Sequence, residues 1–191
     1  GVLDLTVEDG RVTASSARLV DVKPVGRPPT GPVAALVDRY QRQMDGVLGE
    51  EIGRTRVHLN GAEVRFRETN FGDWVADIVR RTAGADVALI NGGTIRMSIR
   101  KGPIRLKDIY SALPFNNYIV AFRLRGKQIR AALEHGVSRV EFQDGAFPQV
   151  SGLTMIYDPS APPGRRVLRV SVGGRVLEPE REYTVATNDF M

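Results

Sequence analysis

The strongest constraint on the fold of this chain is an amphipathic helix pattern followed at once by a buried-strand pattern. The apolar side chains of residues 70–83 fall on one stripe at helical spacing, and Gly84 stands where helices commonly end. Residues 85–90 then form an almost uninterrupted apolar run, ADVALI, which is typical of a strand buried on both faces. Together the two patterns predict a domain in which helices and strands share one core.

The predicted helix begins with Asn70 as its candidate N-cap. Its apolar stripe consists of Phe71, Trp74, Val75, Ile78 and Val79. Because a large apolar ring on such a stripe is best used in packing, we expect Trp74 to be a core residue that takes no part in ligand binding.

Helix and strand patterns alternate along the rest of the chain. Helices are predicted over 32–48, 106–112 and 126–138. Strands are predicted over 2–8, 11–23, 51–59, 118–124, 150–157 and 183–187, with two more around Gly173 and Gly174. This alternation predicts an α/β or an α+β domain with mixed α and β layers.

The N-terminal part of the chain is organised differently from the rest. Residues 1–23 form a predicted hairpin around the turn dipeptide Asp9-Gly10. The Pro- and Gly-rich stretch 24–32 is a predicted linker, which leads into the helix ending at 48. The main domain is therefore expected to occupy residues 49–191.

Composition excludes several chemistries. The chain has no cysteine, which excludes a disulfide, a thiolate nucleophile and a cysteine-ligated metal. Its two histidines, His58 and His135, stand in no metal-ligand spacing, so we predict no metal site in this chain. No apolar run is long enough to span a membrane. The net charge of +5 is scattered rather than gathered in a stripe, which argues against a nucleic-acid polymer as partner. We interpret both histidines as ordinary surface or capping residues.

Three corners carry the candidate chemistry. In Asn91-Gly92-Gly93-Thr94-Ile95-Arg96 the glycines permit close approach of a ligand or another backbone, and an arginine fork suits a phosphate. A plain β-turn with an exposed arginine is the alternative. In Leu113-Pro114-Phe115-Asn116-Asn117 the ring of Phe115 either covers the core or offers a face for base stacking. At the C-terminus, the strand runs into Asn188-Asp189-Phe190, which looks like the start of a loop.

These corners and their surroundings resemble the C-terminal domain of 5′-nucleotidases. The resemblance covers, in order, residues 65–96, 102–117, 124–136, 145–153 and 183–190. NGGTIR (91–96) and LPFNN (113–117) are its most specific motifs in combination. Residues 1–23 also resemble the closing hairpin of the family's N-terminal metallophosphatase domain, and the helix over 32–48 would be the connector.

The resemblance implies the recognition part of an enzyme that removes phosphate from nucleotides. It implies that Phe115 and Phe190 sandwich the base, and that Arg65 and Arg96 meet the phosphate with Asn91 beside them. Asn117 and Gly145 would also line the pocket. Two divalent metal ions are expected in the N-terminal metallophosphatase domain, which is a partner of the same parent protein. An extracellular, periplasmic or cell-surface location is likewise implied by the family alone.

Two departures from the family pattern shape the expectation. The family continues after Asp-Phe into a Gly-Gly-Asp-Gly stretch, which this chain lacks, so we expect a domain truncated at its C-terminal end. The metal-ligating residues of the N-terminal domain are also missing, so the chain alone is expected to be inactive. Cyclic phosphodiesterase and UDP-sugar hydrolase activities stay open for the parent. So do a thiosulfate-conjugate hydrolase relative, a non-catalytic binding module and a nucleic-acid binder.

Overall fold

The computed structural model describes residues 1–21 and 30–191, which separate into two compact units. One unit comprises Gly1–Gln43 and the other Met44–Met191. Most of the predicted linker, and the end of the predicted second strand at 22 and 23, lie outside the described residues.

The first unit contains a hairpin and most of a long helix. Strands β1 (Val2–Glu8) and β2 (Arg11–Arg18) pair antiparallel. Asp9 and Gly10 between them both have positive φ, 50° and 75°, as a tight hairpin turn requires. The predicted hairpin is confirmed, although its second strand ends earlier than expected. Helix α1 (Pro32–Leu48) has the predicted bounds and contains no buried residue.

The second unit is built on a mixed sheet of four strands. Strands β4 (Val87–Asn91), β6 (Ile119–Arg125), β7 (Pro148–Ser151) and β11 (Glu182–Asn188) lie in the order β6-β11-β4-β7. Strand β11 runs parallel to β4 and antiparallel to β6, and β7 runs antiparallel to β4. A mixed sheet of this kind, together with helices, confirms the predicted α+β class.

Residues of β4 alternate between two hydrophobic cores, as expected for a strand covered on both faces. Ala88 and Ile90 pack in one cluster with helix α2 (Asn70–Ala83). Val87 and Leu89 pack in a second cluster with helix α4 (Gly126–Val137). The continuous apolar run of the sequence is therefore explained, because both faces of this strand are buried.

Smaller elements complete the unit. Strands β3 (Glu51–Thr55) and β5 (Gly102–Arg105) pair antiparallel, and helix α3 (Leu106–Ala112) follows directly. Strands β8 (Leu153–Tyr157), β9 (Val167–Val172) and β10 (Arg175–Val176) form a further antiparallel sheet. The single strand predicted over 150–157 is in fact split between two sheets. It breaks at Gly152, whose φ is +76° and where an added Cβ would lie 2.2 Å from the Asp86 carbonyl oxygen.

Two details of α2 correct the sequence interpretation. Its N-cap is Thr69 rather than Asn70, because the Thr69 hydroxyl accepts from the Gly72 N–H at 3.0 Å. The predicted core position of Trp74 is wrong: the residue is 40% exposed, whereas Phe71 is fully buried. The sheet covers the face of α2 centred on Phe71, Val75 and Val79, and Trp74 lies at its flank, stacked on Phe71 at 5.9 Å. Gly84 ends the helix in the left-handed conformation, as predicted.

Candidate ligand-binding site

A cleft of about 740 Å³ lies in the second unit and is lined by all seven predicted site residues. They are Arg65, Asn91, Arg96, Phe115, Asn117, Gly145 and Phe190. The volume is in the range of small-molecule sites, which are roughly 300–1,000 Å³. The structure thus brings together residues that are up to 125 positions apart in the chain.

The cleft lies where two parallel strands end. Strand β4 ends at Asn91 and its parallel neighbour β11 ends at Asn188, so their carboxyl ends meet at one edge of the sheet. In sheets with parallel strands this edge is the usual place for ligands, since the loops there diverge and leave a crevice.

The paired glycines after β4 allow their backbone to lie close to the backbone of neighbouring segments. The N–H of Gly92 donates to the Phe147 carbonyl and the N–H of Gly93 to the Gly145 carbonyl, both at 2.8 Å. A Cβ added at Gly92 would lie only 1.9 Å from the Val64 carbonyl oxygen. Of the two interpretations left open for these glycines, the structure therefore supports approach of another backbone for Gly92.

The two arginines enter the cleft from different loops. Arg65 is partly buried, and its Nη1 donates to the Gln143 carbonyl at 3.2 Å. Gly145 lies against this guanidinium, because an added Cβ would come within 3.2 Å of Arg65 Nη1. Arg96 is exposed, and its backbone N–H is bound to the Ala112 carbonyl at 2.8 Å. Within residues 1–21 and 30–191 the Arg96 guanidinium has no hydrogen bond or ion pair, so it is available to an anion.

The two phenylalanines present open ring surface at the cleft. Phe115 is 52% exposed and Phe190 is 75% exposed. Phe115 therefore does not cover the core, and the alternative proposed from the sequence is not supported. Exposed aromatic rings beside arginines provide faces for a flat ligand and charge for an anion.

A pair of hydrogen bonds joins the loops that carry these rings. The Asn117 side-chain amide donates to the Asp189 carboxylate at 2.8 Å, and the Tyr118 N–H donates to the same oxygen at 3.1 Å. Asn117 thus connects the Phe115 loop to the Phe190 loop in addition to lining the cleft.

Several lining residues were not predicted. Helix α4 supplies one wall through Ala132, Leu133, His135 and Gly136, and Asp144 and Met191 also line the cleft. His135 is exposed, as its surface interpretation required, but it faces the cleft. The sequence signal for this wall is the helical spacing of Ile129, Ala132 and Leu133, which alone does not separate a cleft wall from a core face.

A second, more open depression of about 550 Å³ lies between α4 and β9. Its lining residues include Lys127, Arg130 and Arg165 but no aromatic ring, and Lys127 is paired with Glu180 at 3.0 Å. It therefore lacks the combination of ring faces and unpaired positive charge that marks the cleft at the strand ends.

Within residues 1–21 and 30–191, no group of three or more histidine, cysteine, aspartate or glutamate side chains is arranged to hold a metal ion. No helix in the same residues has the length and hydropathy needed to cross a bilayer.

The mixed sheet with helices and a cleft at its strand ends defines a domain of the α+β class. Residues 51–191 match the family model described as "5′-nucleotidase, C-terminal domain", and the chain belongs to this family. The match covers the whole sheet and every lining residue of the cleft.

Relatives agree with this assignment. The chain is 40% identical over 166 residues to the trifunctional nucleotide phosphoesterase protein YfkN of Bacillus subtilis, covering 81% of this chain and 11% of the relative. It is 29% identical over 189 residues to the endonuclease YhcR of the same organism, covering 99% of this chain and 15% of the relative. The crystal structure of a 5′-nucleotidase precursor from Thermus thermophilus superimposes with a TM-score of 0.79 at 38% identity, covering 98% of this chain and 39% of that one. The chain therefore spans well under half the length of these proteins.

Proposed function

We propose that this domain binds a nucleotide as the recognition part of a phosphohydrolase that removes phosphate from nucleotides. The observation that supports the proposal most strongly is that one cleft combines two exposed aromatic rings with two arginines. Few ligands use both features, and a nucleotide has both a flat base and an anionic phosphate.

The base would lie between Phe115 and Phe190. Stacking on an aromatic side chain contributes about 1–3 kcal/mol per base and tolerates any base, because every base has a π-face. The hydrogen bonds from Asn117 and the Tyr118 N–H to Asp189 support this arrangement, since they hold the two loops together before a ligand arrives.

The phosphate would lie against Arg65 and Arg96. Hydrogen bonds to charged groups contribute about 1.5–3 kcal/mol each, and the guanidinium fork can hold two phosphate oxygens at once. Arg65 is already oriented by the Gln143 carbonyl. Asn91, at the end of β4, would add an uncharged donor beside them.

Hydrolysis would require the N-terminal metallophosphatase domain of the parent protein. Two metal ions are typically needed to clamp the attacking and leaving oxygens in such a reaction. We propose that these ions belong to that domain and that this chain alone releases no phosphate. By family resemblance, the parent protein would act outside the cytoplasm, in the periplasm, at the cell surface or in the medium.

Two other functions make different demands on the cleft. A thiosulfate-conjugate hydrolase has no base to stack, so the paired rings favour a nucleotide over it. One relative is an endonuclease, and a domain of a nuclease would bind a polymer. Polymer binding would weaken steeply with salt concentration, whereas a single mononucleotide has few charges to neutralise.

Calorimetric titration of the chain with adenosine, AMP and ribose 5-phosphate tests the proposal. We expect adenosine and ribose 5-phosphate each to bind, and AMP to bind more tightly than either, because only AMP uses both the rings and the arginines. Absence of adenosine and AMP binding would overturn the proposed function. For variants of the cleft rings Phe115 and Phe190, Phe142→Ala is the matched control, because Phe142 is exposed but lies outside the cleft.

Phosphate release from AMP, with added Mg²⁺, Mn²⁺ or Zn²⁺, tests the proposal that this chain alone has no hydrolytic activity. We expect release no greater than a protein-free blank. Release that is lost on substituting a residue of this chain would contradict the assignment of catalysis to another domain.

A further inference from the structure

Three hydrogen-bonded side chains form a cluster at the polar end of the cleft, two in its lining and one buried behind them. The Thr94 hydroxyl lies 2.6 Å from Asn91 Oδ1. The side-chain amide of Asn188 lies 3.2 Å from the same oxygen and 3.0 Å from the Thr94 hydroxyl. Asn188 is buried at the end of β11, whereas Asn91 and Thr94 line the cleft.

The orientation of every group in this cluster follows from one backbone N–H. The N–H of Phe190 lies 3.2 Å from the Asn188 side chain, and because it can only donate, the atom it meets must be Oδ1. The Asn188 Nδ2 therefore faces Asn91 and Thr94. Since that nitrogen can only donate, the Asn91 atom it contacts must be an oxygen.

The amide of Asn91 is consequently fixed in one of its two orientations. Its oxygen accepts from both Thr94 and Asn188, and its nitrogen lies on the Gly93 side, 3.3 Å from where a Cβ on that glycine would stand. Among the described residues this nitrogen has no acceptor. Its N–H groups are therefore available to a ligand in the cleft.

We propose that Asn188 and Thr94 are positioning residues that make Asn91 present a hydrogen-bond donor, and not an acceptor, to the nucleotide. This inference rests on the proposed function. A phosphate or ribose oxygen accepts from such a donor, whereas an unrestrained asparagine amide could turn and offer either of its ends. Asn188 and Thr94 thereby contribute to specificity while Asn91 makes the contact.

Asn188 also joins the polar and aromatic ends of the cleft. Its oxygen holds the backbone of Phe190, and its nitrogen holds Asn91. A substitution that spares the first bond and removes the second separates the two roles. Asn188→Asp does this, because a carboxylate still accepts from the Phe190 N–H but cannot donate to Asn91.

The test is a double-mutant cycle on AMP affinity, measured by calorimetry with Asn188→Asp, Asn91→Ala and the double variant. Alone, Asn188→Asp is expected to weaken AMP binding roughly tenfold or more, the usual effect of losing one hydrogen bond to a charged group. In the Asn91→Ala background the loss should shrink to less than about threefold, because the residue through which Asn188 acts is gone. An equal loss in both backgrounds would overturn the proposal, since the new carboxylate would then act by charge or through the fold.

Two further variants control the experiment. Asn116→Asp makes the same chemical change on an exposed residue outside the cleft lining, and it should leave AMP affinity within about twofold. Thr94→Val removes one of the two donors to Asn91 without adding charge, and it should weaken AMP less than Asn188→Asp does. If Asn188→Asp does not fold, Thr94→Val replaces it in the same cycle, with the same criterion.

The unaltered chain distinguishes failure of this inference from failure of the proposed function. If it binds neither adenosine nor AMP, the proposed function fails and this inference fails with it. If it binds both, and neither Asn188→Asp nor Thr94→Val changes AMP affinity, only the positioning role is contradicted.

Discussion

Arg166 donates to the Glu141 carboxylate through both terminal guanidinium nitrogens, at 2.7 and 3.0 Å. The Arg166 side chain is only 5% exposed, and the carbonyls of Val137 and Ala161 accept from it as well. A guanidinium removed from water to this degree needs all these partners, because an unpaired buried charge is strongly destabilising. The pair joins the short 3₁₀ helix Val140–Phe142, which follows α4, to the residue before β9.

This pair predicts a specific loss of stability in acid. The hydrogen bond from Arg166 lowers the pKa of Glu141 from 4.5 to about 2. A carboxyl whose pKa is lower in the folded than in the unfolded state adds stability that is complete above the unfolded pKa and disappears as the pH falls to the folded one. We therefore expect the contribution of Glu141 to be lost between pH 4.5 and about 2.

Thermal melting of the unaltered chain and of Glu141→Gln across this range measures that contribution. The difference in melting temperature should be largest near neutral pH and should narrow as the pH approaches 2. Glu182→Gln serves as the control. It removes a distant surface ion pair, in which the Glu182 carboxylate lies 3.9 Å from the Arg123 guanidinium, and it should change the melting temperature little. A Glu141→Gln difference that stays constant with pH would contradict the assignment.

The glycine that follows β4 should be intolerant of any side chain. Gly92→Ala would place a Cβ 1.9 Å from the backbone oxygen of Val64, and backbone cannot swing aside as a flexible side chain does. We expect a loss of about 1–3 kcal/mol, visible as a lower melting temperature. Gly53→Ala is the matched control, because an added Cβ there meets nothing within 4 Å. Equal melting temperatures for the two variants would show that the loop relaxes without cost.

The two aromatic residues at the start of α2 should differ in their importance for stability. Phe71→Ala should cost about 3–5 kcal/mol, as expected for a fully buried ring. Trp74→Ala should cost less, about 1–2 kcal/mol, because much of its ring stays in water and its main contact is the stack on Phe71. Urea unfolding measures both. A larger loss of unfolding free energy for Trp74→Ala than for Phe71→Ala would contradict this ranking and would favour the core position predicted from the sequence.

The sequence predicts the bounds of individual helices well, but it does not predict which distant residues come into contact. The bounds of α1 and α3 are predicted correctly because caps, prolines and helical spacing are local signals. Trp74 was misplaced because an apolar stripe shows which residues share a helix face but not how far the sheet extends beneath it. The split at Gly152 was missed for a similar reason, since the close carbonyl belongs to Asp86, far away in the chain.

The site itself was predicted through resemblance rather than through periodicity. The motifs around Arg96 and Phe115 indicated a binding role for each residue. They left open a plain β-turn for the first and a ring that covers the core for the second. Arg65, Gly145 and Phe190 came only from the family pattern. Neither route indicated Asn188 as a buried partner of Asn91, because 97 residues separate them and only the parallel pairing of β4 and β11 brings them together.

The nucleotide site is tested most directly by asking whether the roles of Phe115 and Arg96 in binding differ between adenosine and AMP. A ring face stacks on a base with or without phosphate, so Phe115→Ala should weaken adenosine and AMP by similar factors, roughly 1–3 kcal/mol each. Arg96→Ala should weaken AMP by about 1.5–3 kcal/mol and leave adenosine almost unchanged, because the nucleoside offers no anion to the guanidinium. Arg100→Ala, an exposed arginine outside the cleft lining, is the control for the loss of positive charge. Calorimetry with both ligands should give this pattern. Equal weakening of adenosine and AMP by Arg96→Ala, or unchanged affinities after Phe115→Ala, would contradict the proposed nucleotide site.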